Sequence, residues 1–142
     1  MSQLEARSLQ SREYEGQSVE AALKALIAAL QDEGYVISAA NSSLGLVTAA
    51  VEFPDVDSTT KSMVEFWKGA GMGTYQTVRR VEVSGTVNAL SKSSVRIRIN
   101  IVAKALNNAG GSVWSAPVQE PKPYQDLFSK VDKALFLERE KM

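Results

Sequence analysis

Neither cysteine nor histidine occurs in this 142-residue chain. Without cysteine there are no disulfides, no thiolate nucleophiles and no sulfur-ligated metals. That absence is silent on compartment, because a disulfide-free fold works anywhere. Without histidine the chain lacks the side chain whose ordinary pKa lies nearest neutrality, and every Ser-His or Cys-His catalytic pair goes with it. Charge of one sign is not in surplus either: Lys and Arg total 16, as do Asp and Glu. A duplex-binding domain draws affinity from a basic surplus that displaces counterions along the phosphates, so nucleic acid is not expected as a partner. No apolar run approaches the ~18 residues of a membrane span. Residues 1–12 alternate polar and charged and cannot serve as a secretory apolar region. Two settings stay open: the cytoplasm, or export with a targeting segment removed and Met1 supplied in its place.

What is present is ordinary for a globular protein, 44% apolar and 23% charged. The length suits one domain, which buries roughly 70% of the surface its unfolded chain exposes. Residues 1–142 are therefore expected to form a single α+β domain that folds without metal or disulfide.

A helix is expected from Ser18 to Glu33, because Val19, Ala22, Leu23, Leu26, Ile27 and Leu30 recur at spacings of three and four. Ser18 caps its first turn and Gly34 stops it in the left-handed region. Residues 35–38 and 44–53 read as a hairpin about Asn41-Ser42-Ser43. The clearest strands are 81–89 and 95–104. In both, apolar residues (Val81, Val83, Val87; Val95, Ile97, Ile99, Ile101) alternate with polar ones. Such alternation puts one face on a core and the other in water. A further strand covers 113–118. Pro117, Pro121 and Pro123 hold off helix until Tyr124, so the closing helix is placed at 124–140. Residues 3–14 form an edge strand, and 54–75 a variable insert with a short helix over 58–68. The expected order is β-α-β-β-insert-β-β-β-α, with two main helices on one face of a mostly antiparallel sheet.

The motifs that suggest chemistry are weak. Ser58-Thr59-Thr60-Lys61 has the S-x-x-K spacing of a serine nucleophile and its lysine, but the accompanying S-D-N and K-T-G elements are missing. Asp55 and Asp57 could open a calcium loop, yet Thr60 stands where glycine is needed and Phe66 where a bidentate glutamate is needed. Gly69-Ala70-Gly71-Met72-Gly73 lies after a helix and before a strand, the reverse of a phosphate-cradling loop. No catalytic residue, metal or cofactor is expected.

Two surfaces are candidates for binding. Phe66, Trp67, Met72 and Tyr75 cluster about the glycine segment, and aromatics and methionine are favoured interface anchors. The alternative is that Phe66 and Trp67 complete the core. Arg80, Arg96, Arg98 and Lys104 share the polar face of the long strands, with only Glu82 opposing them among the alternating residues. A phosphate, a carboxylate or an acidic protein could meet that face, although long cations also serve simply to solvate a sheet.

Residues 7–14, 29–35 and 44–49, together with Tyr124-Gln125-Asp126-Leu127-Phe128 and 133–138, give the chain a resemblance to a family of small bacterial lipoproteins. Their soluble domains are exported and tethered through an acylated N-terminal cysteine. The resemblance implies a periplasmic domain held at the outer membrane, meeting the membrane only through a lipid anchor, and carries no established activity. This chain has no such cysteine. On these grounds a non-enzymatic envelope domain that docks a protein partner is expected. The alternative is a carrier of a small or lipidic ligand, with a cavity behind Leu23, Leu26, Leu46 and Leu127.

Overall fold

The computed structural model describes residues 8–53, 78–106 and 112–140, and the statements below concern these. The fold is α+β. Residues 8–10 are helical and lead into β1 (Ser11–Glu15), followed by α1 (Val19–Asp32), β2 (Val36–Asn41) and β3 (Leu46–Phe53). Then come β4 (Val78–Ala89), β5 (Ser94–Leu106), β6 (Ser112–Pro117) and α2 (Pro121–Glu140). The order of the described elements is the expected one; the insert 54–75, with its short helix over 58–68, lies outside the described residues.

The strands form a single antiparallel sheet ordered β2-β3-β4-β5. Two strands share the outer edge of β5: β1 pairs with residues 94–98 and β6 with 102–106. Both helices cover the same face. From α1, Ala22, Leu23, Ala25, Leu26, Ala29 and Leu30 are buried; from α2, Tyr124, Leu127, Phe128, Val131 and Leu135. They close over Val47, Ala49, Val81, Val83, Val87, Val95, Ile97, Ile99 and Ile101. Each large side chain removed from water in this way contributes about 1.5–3 kcal/mol.

Local chemistry sets the element ends. The Ser18 hydroxyl accepts from the Ala21 amide at 3.1 Å. Gly34, at φ +93°, ends α1 in a paired cap: its amide donates to Gln31 and the Tyr35 amide to Leu30. Gly45, at φ +66°, sits so close to the Val87 carbonyl that a side chain would collide with it. Its own carbonyl accepts from the Val87 amide at 2.7 Å. Gly85 has a different task. A Cβ there would lie 2.6 Å from Leu26 Cδ2 and 3.2 Å from Val47 Cγ1, so its bareness lets α1 settle onto the sheet.

Three expectations need correction. The closing helix starts at Pro121 rather than Tyr124. First-turn amides have no partner within a helix, so Pro121 and Pro123 forfeit nothing there. The first strand begins only at Ser11, after the helical residues 8–10. Leu46 pairs with Thr86 on the open side of the sheet and is exposed, whereas its neighbour Val47 enters the core. Leu46 therefore cannot line a cavity with Leu23, Leu26 and Leu127, which lie in the core on the helix side at 4%, 0% and 2% exposure.

Candidate functional site

The face of the sheet turned away from the helices carries the charged candidates, and strand register places them. At one end Glu52, Arg80 and Lys104 lie in a row across β3, β4 and β5. The next row holds Ala50, Glu82 and Val102, and the one after it Thr48, Ser84 and Asn100. Leu46, Thr86, Arg98 and Ser11 follow, and Asn88, Arg96 and Glu13 close the far end.

Arg80, Arg96, Arg98 and Lys104 therefore do share one face, but acids from β1 and β3 enter it as well. Arg80 Nη1 reaches Glu52 Oε1 at 2.8 Å and its Nε reaches Glu82 Oε2 at 2.7 Å. Lys104 Nζ holds the other Glu82 oxygen at 2.8 Å. Arg96 Nη2 meets Glu13 Oε1 at 2.9 Å. Glu82 was expected to stand alone among the cations; Glu13 and Glu52 join it. The face is a lattice of alternating charge rather than a basic patch. Among the described residues no ion pair is made by Arg98. The hydrogen bond from Lys104, and next that from Arg80, hold the Glu82 carboxyl below its ordinary range. The same contact with Glu82 pushes Arg80 up.

Between this lattice and the middle of the sheet is a depression of about 260 Å³. Its floor and walls come from Ser38, Thr48, Ala50, Ser84 and Val102, with Arg80 and Glu82 at one side. Small side chains on adjacent strands leave the space, and the Ser38 hydroxyl is tied to Thr48 Oγ1 at 2.9 Å. Such a site can seat an apolar side chain beside fixed charges. Phe66, Trp67, Met72 and Tyr75 fall outside the described residues, as do Ser58–Lys61, Asp55, Asp57 and the glycine segment 69–73.

A second recess, of about 280 Å³, lies between β1 and α2 and is lined by Tyr14, Glu15, Gln17, Asp132, Leu135 and Phe136. Sequence reasoning missed it, because β1 and α2 lie more than 100 residues apart and only the fold brings them into contact. Tyr14 and Arg12 both hold Asp132 there, and the Arg12 guanidinium lies 4.7 Å from the Phe128 ring centre. Nearby, the buried Tyr124 hydroxyl donates to the Val118 carbonyl and accepts from the Ile101 amide, pinning α2 to β5. Among the described residues no group of three or more Asp, Glu, His or Cys is placed to hold a metal. No described helix is long and apolar enough to cross a membrane.

No protein-family model and no curated protein matches this chain. Similar solved structures include the adenylate sensor from AMP-activated protein kinase in complex with the ribotide ZMP. It is 15% identical over 88% of this chain and 94% of that one, with a TM-score of 0.45. Another is a protein of the DUF4468 family from Bacteroides ovatus, 14% identical over 88% of this chain and 84% of that one, with a TM-score of 0.40. At such identities and scores neither likeness bears on what this chain binds.

Proposed function

We propose that the chain is a non-enzymatic binding module that docks a protein partner on the open face of its sheet. The observation that carries this reading is the composition of that face. A shallow, largely uncharged depression over Ala50, Ser84 and Val102 is bordered by side chains already fixed in ion pairs. Interfaces set a less polar centre beside a polar rim, here charged along one side, and groups held in place before contact lose little entropy on binding. Arg98 supplies a cation with no ion pair of its own among the described residues, suited to a carboxylate on the partner.

The setting proposed with it is the bacterial envelope, with the domain periplasmic and tethered at the outer membrane. That part rests on the resemblance to exported lipoproteins alone. Fractionation of cells making the full-length protein tests it, and a purely cytoplasmic distribution would end it.

Docking is tested with a photo-crosslinking residue at Ser84, on the floor of the depression, and another at Lys24, exposed on α1. A discrete crosslinked protein from Ser84 and none from Lys24 is expected. Equal labelling from both, or none from Ser84 in a folded and correctly located protein, removes the open face as the docking site.

A further inference from the structure

At the far edge of the sheet β1 and β6 share the outer side of β5, and the uncharged β6 ends in Pro117; the edge at β2 differs in kind. β1 reads Ser-Arg-Glu-Tyr-Glu, and Arg12 and Glu13 are both held in ion pairs. β2 reads Val-Ile-Ser-Ala-Ala-Asn, with neither charge nor proline, and no described strand pairs with its outer side. Charge and proline are the usual means by which proteins keep a free edge from recruiting another strand. Apolar side chains are also exposed here: Val36 at 71%, Leu44 at 64% and Leu46 at 40%.

The order of faces along β2 has a symmetry of its own. Val36, Ala39 and Asn41 lie on the open side, opposite Ala50, Thr48 and Leu46. Ile37 and Ala40 lie on the helix side, opposite Ala49 and Val47. Ser38 is the extra residue of a bulge, and its hydroxyl meets Thr48 on the open side. From Val36 to Asn41 the faces therefore run open, helix, open, open, helix, open. The order is the same in either direction, which an unbulged strand of this length cannot achieve because its faces alternate strictly.

We infer that β2 is a dimerisation edge, on which two copies of this chain pair β2 to β2, antiparallel, about a two-fold axis. Antiparallel self-pairing sets a strand against its own reverse, so a palindromic order of faces matches every side chain with one on the same side. Val36 falls opposite Asn41 of the other copy, Ile37 opposite Ala40, and Ser38 opposite Ala39. Moving the register by one residue in either direction sets open-side residues against helix-side ones, so this register is singled out. Val36 then comes beside Asn41, in the row that continues to Leu46. A bulge ordinarily weakens pairing on an edge. Here the two bulges meet at the axis, and the ladder is carried by the flanking residues 36–37 and 40–41. Nothing electrostatic opposes the encounter, since the strand is uncharged and the chain has a formal net charge of zero. The pairing is edge to edge, so it stands or falls separately from partner docking on the open face.

The absence of native cysteine makes the register directly testable. Val36→Cys and Asn41→Cys copies are mixed and gently oxidised. Opposite residues of an antiparallel pair lie about 4.5–5.5 Å apart at Cα, within disulfide reach. Val36 and its own counterpart would be roughly 17 Å apart. The mixture is expected to form a disulfide dimer, and Val36→Cys alone is not. Sedimentation of the unmodified chain should show a dimer that grows with concentration. Val36→Lys, at an exposed position, should weaken it at least about tenfold with an unchanged melting temperature. A chain that remains monomeric at about 1 mM overturns the inference and leaves the edge to a strand from another protein. Equally efficient crosslinking by Val36→Cys alone overturns it too.

Discussion

The Tyr14 hydroxyl donates to Asp132 Oδ1 at 2.7 Å across 118 residues of sequence, and Arg12 holds the other carboxylate oxygen at 3.0 Å. One acid on α2 thus clasps two side chains of β1. Both partners are partly exposed, so the clasp adds modestly to stability. Tyr14→Phe should cost about 0.5–1 kcal/mol, and Asp132→Ala, which releases both β1 side chains, up to about 2 kcal/mol. Urea unfolding of the two variants gives the order; equal losses would mean that Arg12 contributes nothing.

Alkali should unfold the protein through its tyrosines. Burial foremost raises Tyr14, Tyr35 and Tyr124 above the ordinary value of 10.0, helped by Asp132 at Tyr14 and by Glu33 at Tyr35. The folded state favours the protonated hydroxyl, so this stabilisation is complete below the unfolded-state value and is lost as pH climbs through the folded-state values. Stability should hold up to about pH 10 and then fall, with tyrosinate absorbance rising together with loss of helix. Tyrosinate that appears before any loss of helix would contradict this.

Acid acts on the other side of the sheet with the opposite sign. Glu82 is held below its ordinary 4.5 by Lys104 first and Arg80 second. Its stabilisation is therefore present above the unfolded-state value and is lost as pH falls through the folded-state one. At neutral pH Glu82→Gln should destabilise by roughly 0.5 kcal/mol, since the group is partly exposed and screened. The difference from the parent should vanish in strong acid, as thermal melts across pH will show.

Gly85 and Leu26 should be coupled. Gly85→Ala forces a methyl onto a fully buried leucine and should cost about 1–3 kcal/mol. Leu26→Ala alone should cost about 2–5 kcal/mol through the cavity that it leaves. Because the alanine methyl occupies part of that cavity, the double variant should cost less than the sum. Strict additivity would show that the two sites do not touch.

Charge reversal on the open face should separate two arginines of one strand. Arg96→Glu breaks the pair with Glu13 and sets two carboxylates together, at a cost of up to about 1 kcal/mol. Arg98→Glu should leave the melting temperature unchanged and should weaken partner capture. Unaltered capture by a folded Arg98→Glu chain removes that residue from the docking surface.

Alternation along β4 and β5 is strong enough to read from sequence, and so is the stop at Gly34, because each depends only on neighbours in the chain. The charge lattice depends on register. Glu13 meets Arg96 across 83 residues and Glu52 meets Arg80 across 28, and no local pattern announces either. Leu46 was misassigned because β3 is apolar at Leu46 and Val47 alike. Only the Gly45 turn and the pairing with β4 decide which side each takes. The recess beside Tyr14 was hidden for a related reason: β1 and α2 lie at opposite ends of the chain and converge on β5.

That convergence imposes an order on biosynthesis. β1 leaves the ribosome long before its partner, and at ~5–20 residues per second the 83-residue gap between Glu13 and Arg96 takes roughly 4–17 s to translate. The strand that waits carries Arg12, Glu13 and Glu15, charges of the kind that keep an unpaired edge from recruiting another strand. The vulnerable intermediate is α1, whose apolar stripe of Leu23, Leu26 and Leu30 has only the β2–β3 hairpin to rest on until β4 and β5 have emerged. A chaperone that shields hydrophobic helices on nascent chains would find its clearest target there.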